Sequence, residues 1–117
     1  MNKKYIIKSN DEFQRIIKNC NSYKYKDYIL YIEKNNQDSY HFGFSVGKKI
    51  GNAVTRNKIR RQIKNILDEN DYQNGVNCII MVRKGIIDKP FEERRKNLLV
   101  ALDKAHIIKE KKWKVNI

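Results

Sequence analysis

Seven cationic side chains, Lys48, Lys49, Arg56, Lys58, Arg60, Arg61 and Lys64, lie between Asp38 and Asp68, a span that holds no carboxylate. A solvated helix normally interleaves charges of both signs, because opposite charges at i,i+4 support it and like charges there repel. Repulsion left uncancelled within the chain is cancelled by an external polyanion, and nucleic acid is the one this pattern implies. Arg supplies a planar fork that meets phosphate with two donors, whereas Lys acts as a point charge. Asn57, set among the cations, can hydrogen-bond RNA or order a neighbouring Arg. The Gly51-Asn52 turn with Lys48 and Lys49 adds donors at a helix N-terminus, an anion-attracting end.

Other chemistries have little to stand on. His41 and His106 are the only histidines, and neither has a nucleophile or carboxylate at a recognisable spacing. His41 reads as a strand residue facing a groove or solvent, His106 as a helix-surface residue. Asp88, Glu92, Glu93 and Asp103 follow one predicted helix as ordinary solvated charges, whereas a two-metal nuclease needs several convergent carboxylates. Cys20 and Cys78 fit neither a metal motif nor a disulfide framework, and Cys78 falls in an apolar run expected to be core. No catalytic side chain and no metal site is expected.

The elements that must carry the cations follow from local pattern. Ser9 to Glu12 reads as a capping box, and Phe13, Ile16, Ile17 and Cys20 share one face of a helix ending near Asn19 or Asn21. Tyr28 to Ile32 is the strongest strand signal, Asn35 to Asp38 a turn, and Tyr40 to Val46 a second strand, expected to form a hairpin with the first. Asn52 can cap the basic helix, in which Ile59, Ile63, Ile66 and Leu67 make the buried stripe. Arg56, Asn57, Arg60, Arg61 and Lys64 make an adjoining arc, with Lys58, Gln62 and Asn65 on the remaining side. Asp68 to Gly75 reads as an acidic loop, and Val76 to Val82 as a strand covered on both faces. Asp88-Lys89-Pro90 opens a last helix with Phe91, Leu98, Leu102 and Ala105 inward. The tail from Lys109, with 110–117 as its basic end, is expected to fray, though Trp113 can pack down. Of the aromatics on the first strands, Tyr23, Tyr25, Tyr28, Tyr31, Phe42 and Phe44, most are packing residues, and an exposed ring could stack an unpaired base.

The order αβββαβα implies an α+β fold, a single-domain sandwich over residues 1–117 with a small, mostly antiparallel sheet. With 117 residues, 40% of them apolar, the chain can bury one core. Net charge is +13, from 26 Lys and Arg against 13 Asp and Glu. An AT-rich genome inflates Lys, Asn and Ile without functional cause, so the placement of the charges carries more than their number. The N-terminus, MNKKYIIKSNDEF, is too short and too charged for a signal peptide, and no run approaches the roughly 20 apolar residues of a membrane span, so a soluble, cytoplasmic protein is expected.

Gly51-Asn52-Ala53-Val54-Thr55-Arg56-Asn57-Lys58-Ile59-Arg60-Arg61, preceded by Phe44-Ser45-Val46-Gly47-Lys48-Lys49, closely resembles the signature of the bacterial ribonuclease P protein subunit. Glu12 to Ile16, Leu30-Tyr31 and Ile79 to Arg83 extend the likeness over nearly the whole chain. The chain departs from the family pattern in having Arg60 for the usual Lys, Lys64 for the usual Arg, Ile17 where an aromatic is frequent, and Gly47 where Ser is common.

The resemblance implies a left-handed βαβ crossover carrying the basic helix. It implies binding of the ribonuclease P RNA and of the single-stranded 5′ leader of precursor tRNA. The RNA, with Mg²⁺, performs the phosphodiester hydrolysis that matures the tRNA 5′ end, and no protein-bound cofactor is implied. The protein is thus expected to be one subunit of a ribonucleoprotein endoribonuclease, monomeric within it and away from membranes. Carried over by position, the RNA-binding residues are Lys48, Lys49, Arg56, Asn57, Lys58, Arg60, Arg61 and Lys64, and the leader cleft takes Phe13, Ile17 and Tyr31. A small basic ribosomal protein and a stand-alone endoribonuclease are the rival readings.

Overall fold

Ser9 starts the first helix as its spacing predicts: its Oγ accepts from the Glu12 amide at 3.3 Å, and Asp11 and Glu12 place negative charge at the positive end of the helix dipole. The computed structural model describes residues 1–111. Helix α1 runs Asn10–Asn19 and stops where Cys20 turns to an extended backbone. Strands β1 (Ser22–Tyr25), β2 (Tyr28–Lys34) and β3 (His41–Ser45) follow, then α2 (Ala53–Leu67), β4 (Asn70–Tyr72), β5 (Val76–Val82), α3 (Phe91–Lys104) and β6 (Ile108–Lys111). The short 3₁₀ turns that matter here are Lys48–Ile50, which leads into α2, and Lys84–Asp88, which leads towards α3.

The main sheet has the order β1-β2-β5-β3. β1 and β5 pair antiparallel to β2, and β3 lies parallel to β5, so β3, α2 and β5 form a parallel crossover. The expected hairpin between β2 and β3 is therefore absent, because β5 is inserted between them. The hairpin is β1–β2 instead, turning at Lys26-Asp27 with Lys26 at φ 53°. Two strands also lie where no strand was expected: β4 inside the acidic loop, and β6 over the start of the tail, paired antiparallel to each other. Residues 109–111 are thus held in a strand rather than frayed, while Trp113 and the rest of the tail lie outside the described residues.

Alternation sorts the sheet into two faces. Tyr28, Leu30, Phe42, Cys78, Ile80 and Val82 enter the larger core with the α2 stripe Ile59, Ile63, Ile66 and Leu67 and with Leu98, Leu99 and Leu102 of α3. Tyr31 and Ile79 point to the other face, where Ile16 is wholly buried and Phe13, Ile17 and Cys20 pack beside it. The result is α1, sheet, then α2 and α3 in layers, with β5 covered on both sides as its apolar run predicts. Arg94 ties the second layer together, donating to the Ile86 carbonyl at 3.0 Å and to Gln62 of α2 at 3.1 Å.

Two details of α3 differ from the pattern reading. Phe91, in the first helical position, is 40% exposed, because the helix meets the core only from Asn97 onward. His106 lies just past the end of the helix, exposed and at φ 58°, where it closes the helix by donating its amide to the Asp103 carbonyl. Cys78 is fully buried, and burial pushes its thiol far up.

Candidate nucleic-acid interface

The basic helix begins on Asn52, whose Oδ1 accepts from the Thr55 amide at 2.9 Å. With its apolar stripe locked into the core, the arc at about right angles to it must face outward. Asn57, Arg60, Arg61 and Lys64, with the exposed Val54, line one shallow groove along that arc. Asn57 does order its neighbour: Arg60 Nη1 donates to Asn57 Oδ1 at 2.9 Å, and Arg60 Nη2 reaches the Val46 carbonyl at 3.5 Å. Lys64 Nζ lies 5.9 Å from the centre of the Phe44 ring. Arg60 is thus a preorganised fork rather than a free tether, which lowers the entropy lost on meeting a phosphate.

The remaining expected contacts are placed less uniformly. Lys48 and Lys49 stand exposed on the turn before α2. Arg56 is half-buried and bends back, its Nε donating to the Gly51 carbonyl at 3.2 Å. Lys58 lies on the Gln62 side of the helix, the flank turned towards Arg94 of α3, and does not line the groove. Among the described residues the ion pairs are Met1–Asp68, Arg15 with Glu12 and Glu33, Lys89–Asp27 and Arg95–Glu69. None of these pairs involves any of the seven cations.

Phe13, Ile17 and Tyr31 are brought together around α1, each half-buried on the face opposite the main core. Phe13 lies against the backbone of β3: a Cβ on Gly43 would sit 2.9 Å from Phe13 Cε2, so only glycine lets α1 approach this closely. A second cleft of about 320 Å³ opens between the start of α1 and the end of β3, with Lys8, Phe13, Ser45 and Arg60 in its lining. Arg60 borders both this cleft and the groove on α2, so the cationic arc runs without a break into the space beside α1.

Register adds a floor that the sequence did not reveal. Ser45 pairs with Met81, Met81 with Ile29, and Ile29 with Lys24, giving one row across all four strands on the α1 side of the sheet. Met81 is the one β5 residue that is not buried, and Ser45 and Ile29 are likewise half-open. Beyond the intervening row of Tyr31, Ile79 and Gly43, the same-face row Glu33, Asn77 and His41 lies on the opposite flank of α1 and is closed by hydrogen bonds. There the Arg15 guanidinium, followed by the Asn77 amide, holds the Glu33 carboxyl below its usual range against the opposing effect of burial.

Chemically the arrangement is a row of guanidinium and ammonium groups on a rigid helix, next to a half-apolar trough with rings at its edge, features that suit a polyanionic strand with some of its bases unpaired. Among the described residues no three His, Cys, Asp or Glu side chains are grouped so as to hold a metal ion, and no helix is long and apolar enough to cross a membrane. Fold and surface together define a small α+β protein with a cationic face suited to a polyanion.

The Ribonuclease P family model matches residues 1–106. The ribonuclease P protein component of Limosilactobacillus fermentum is 38% identical over 95% of this chain and 100% of its own length. That of Mycoplasma mycoides is 42% identical over 85% of this chain and 94% of the relative. Among solved structures, the RNase P protein of Staphylococcus aureus superposes with a TM-score of 0.79 at 32% identity, covering 88% of this chain and 96% of that one. The RNase P protein of Thermotoga maritima gives 0.76 at 25% identity, over 84% and 94%. The chain belongs to the ribonuclease P protein family. RNA binding and a part in tRNA 5′ processing come with that membership.

Proposed function

We propose that this protein positions precursor tRNA on a catalytic RNA and performs none of the bond-breaking itself. The arc Asn57, Arg60, Arg61 and Lys64, with Lys48 and Lys49 beyond its N-terminal end, docks on the ribonuclease P RNA and on substrate phosphates. Arg56 and Lys58 contribute charge from its flanks. The trough bounded by Phe13, Ile17 and Tyr31 takes the single-stranded 5′ leader, and Ser45, Met81 and Ile29 form its floor. Hydrolysis of the phosphodiester belongs to the RNA with Mg²⁺; side chains that are cationic along this whole face would repel a bare divalent ion rather than ligate it. The complex acts in the cytoplasm, with one copy of the protein per RNA.

One observation carries this reading: seven cations have no acid partner among the described residues, and three of them, Arg60, Arg61 and Lys64, line an arc that continues through Arg60 into a half-apolar trough. A purely structural basic surface would need no adjoining trough, and a stand-alone nuclease would need convergent acids. The contribution therefore falls on binding and orientation. Reconstitution tests it: precursor tRNA, protein and ribonuclease P RNA are combined at low Mg²⁺, each omitted in turn. Cleavage at the mature 5′ end is expected only when protein and RNA are both present. Cleavage by the protein alone, or by the RNA equally well without it, overturns the proposal.

A further inference from the structure

Helix α1, ten residues long, forms one wall of the trough and covers the sheet on that side together with Ile7 of the N-terminal segment. Its apolar face packs on one row across the strands, Gly43, Ile79 and Tyr31, with Phe13 over Gly43 and with Ile16, Ile17 and Cys20 in the same cluster. Contacts along a line resist sliding better than rolling, and the flank facing Ser45, Met81 and Ile29 is open. Roll must be fixed from the other flank.

That flank carries a chain of side-chain hydrogen bonds spanning α1 and three strands. Arg15 grips Glu33 with both terminal nitrogens, Nη2 to Oε1 at 3.0 Å and Nη1 to Oε2. Asn77 Nδ2 donates to the same Glu33 Oε1 at 3.0 Å, and Asn77 Oδ1 lies 3.0 Å from His41 Nδ1. The bonds set one another. An ionised carboxylate accepts only, so Asn77 must turn its amide nitrogen to Glu33 and its oxygen to His41, which makes His41 Nδ1 the donor. Asn77 is buried and Glu33 keeps 17% of its side-chain exposure, so this end of the chain is rigid, while Arg15 at 48% is its outer hook. None of these four side chains belongs to the cationic arc or to the trough.

We propose that Glu33 is a positioning residue for the 5′ leader: by holding Arg15 it fixes the roll of α1 and so the width of the trough above Ser45, Met81 and Ile29. The inference rests on the reading of the trough as the leader site. Loss of the clamp lets α1 rock, and a strand threaded beside it pays part of its binding energy to hold the helix still. The effect falls on the leader alone, because the rest of the tRNA does not touch this wall.

The test uses the reconstituted holoenzyme and compares its affinity for precursor tRNA with that for the same tRNA lacking a leader. In the wild type the leader should add affinity. Glu33→Gln should reduce that leader-dependent gain roughly three- to fivefold, on the scale of one partly exposed charged contact, while leaderless tRNA binds as before. The sign separates positioning from bulk charge, since removing an acid from a basic protein by itself makes RNA bind equally or more tightly. Arg15→Met, at a side chain 48% exposed, should give the same loss, and Arg15→Lys should recover part of it. A leader-dependent gain that stays within twofold of wild type in both Glu33→Gln and Arg15→Met overturns the clamp. A wild-type holoenzyme with no leader-dependent gain overturns the trough reading and the clamp with it, and does so before any substitution is made.

Discussion

At the scale of single residues, the site depends on where side chains are missing as much as on where charge is present. Gly43 is buried on β3 at a position whose neighbours are large, and its φ is unremarkable, so the glycine serves close approach rather than backbone freedom. An added methyl group would sit 2.9 Å from Phe13 Cε2 and 3.3 Å from Ile79 Cγ1, squeezed between a trough ring and the floor of α1. Gly43→Ala should therefore lower stability by about 1–3 kcal/mol, as overpacking does, and lift Phe13 from its seat. Thermal unfolding of the single variant and of Gly43→Ala with Phe13→Leu checks this. The smaller partner should recover part of the loss, because the two changes share one contact. Additive effects would mean that the ring is not what the methyl group meets.

At the scale of elements, the chain joins locally specified helices to non-locally specified strands. Gly75 sits at φ 78° in the turn before β5, donating to the Ser39 carbonyl at 2.9 Å and accepting from the Asn35 amide at 2.8 Å. It thereby fastens the start of β5 to the segment between β2 and β3, the strands it separates. A Cβ there would fall 2.5 Å from the Asn35 carbonyl oxygen, so Gly75→Ala combines left-handed strain with a backbone clash and should cost about 2 kcal/mol or more. Gly47→Ala is the control, with ordinary φ and open space around it, and should stay within about 0.5 kcal/mol by chemical denaturation. The same contrast explains what could be read in advance. Helices α1 and α2 announce themselves through Ser9, Asn52 and their 3.6-residue stripes, all information held within a few residues. The cationic arc was legible for that reason, and Lys58 was already separable from it. Strand order was not legible, because nothing local says that β5 will enter between β2 and β3, and the Lys26-Asp27 turn lacks the Asn-Gly signal of a tight hairpin. Strands β4 and β6, Asn-Asp-Tyr and Ile-Lys-Glu-Lys, are too short and polar to stand out from loop. The trough floor had no signature either, since Ser45, Met81, Ile29 and Lys24 become neighbours only once the register exists.

At the scale of the whole molecule, a net charge of +13 attracts any polyanion, and the organised arc must be separated from that background. Counterion release makes the separation measurable, because each phosphate neutralised contributes to the salt dependence of binding. If about five of the arc and turn cations engage phosphates, log affinity for the ribonuclease P RNA falls against log salt with a slope of about −3.5 to −4.5. Between 50 and 200 mM salt this weakens binding roughly 100- to 500-fold. Arg60→Ala with Arg61→Ala should flatten the slope by about 1.4–1.8, two phosphates' worth. The fold should persist, because both side chains lie off the stripe formed by Ile59, Ile63, Ile66 and Leu67. A matched double substitution elsewhere, Lys3→Ala with Lys4→Ala at the exposed N-terminal turn, removes the same charge and should change the slope far less. Equal effects from the two pairs would mean that RNA senses only total charge, and the arc would lose its claim to be the docking surface. A collapse of thermal stability in the arginine pair would instead show that the helix face is turned inward.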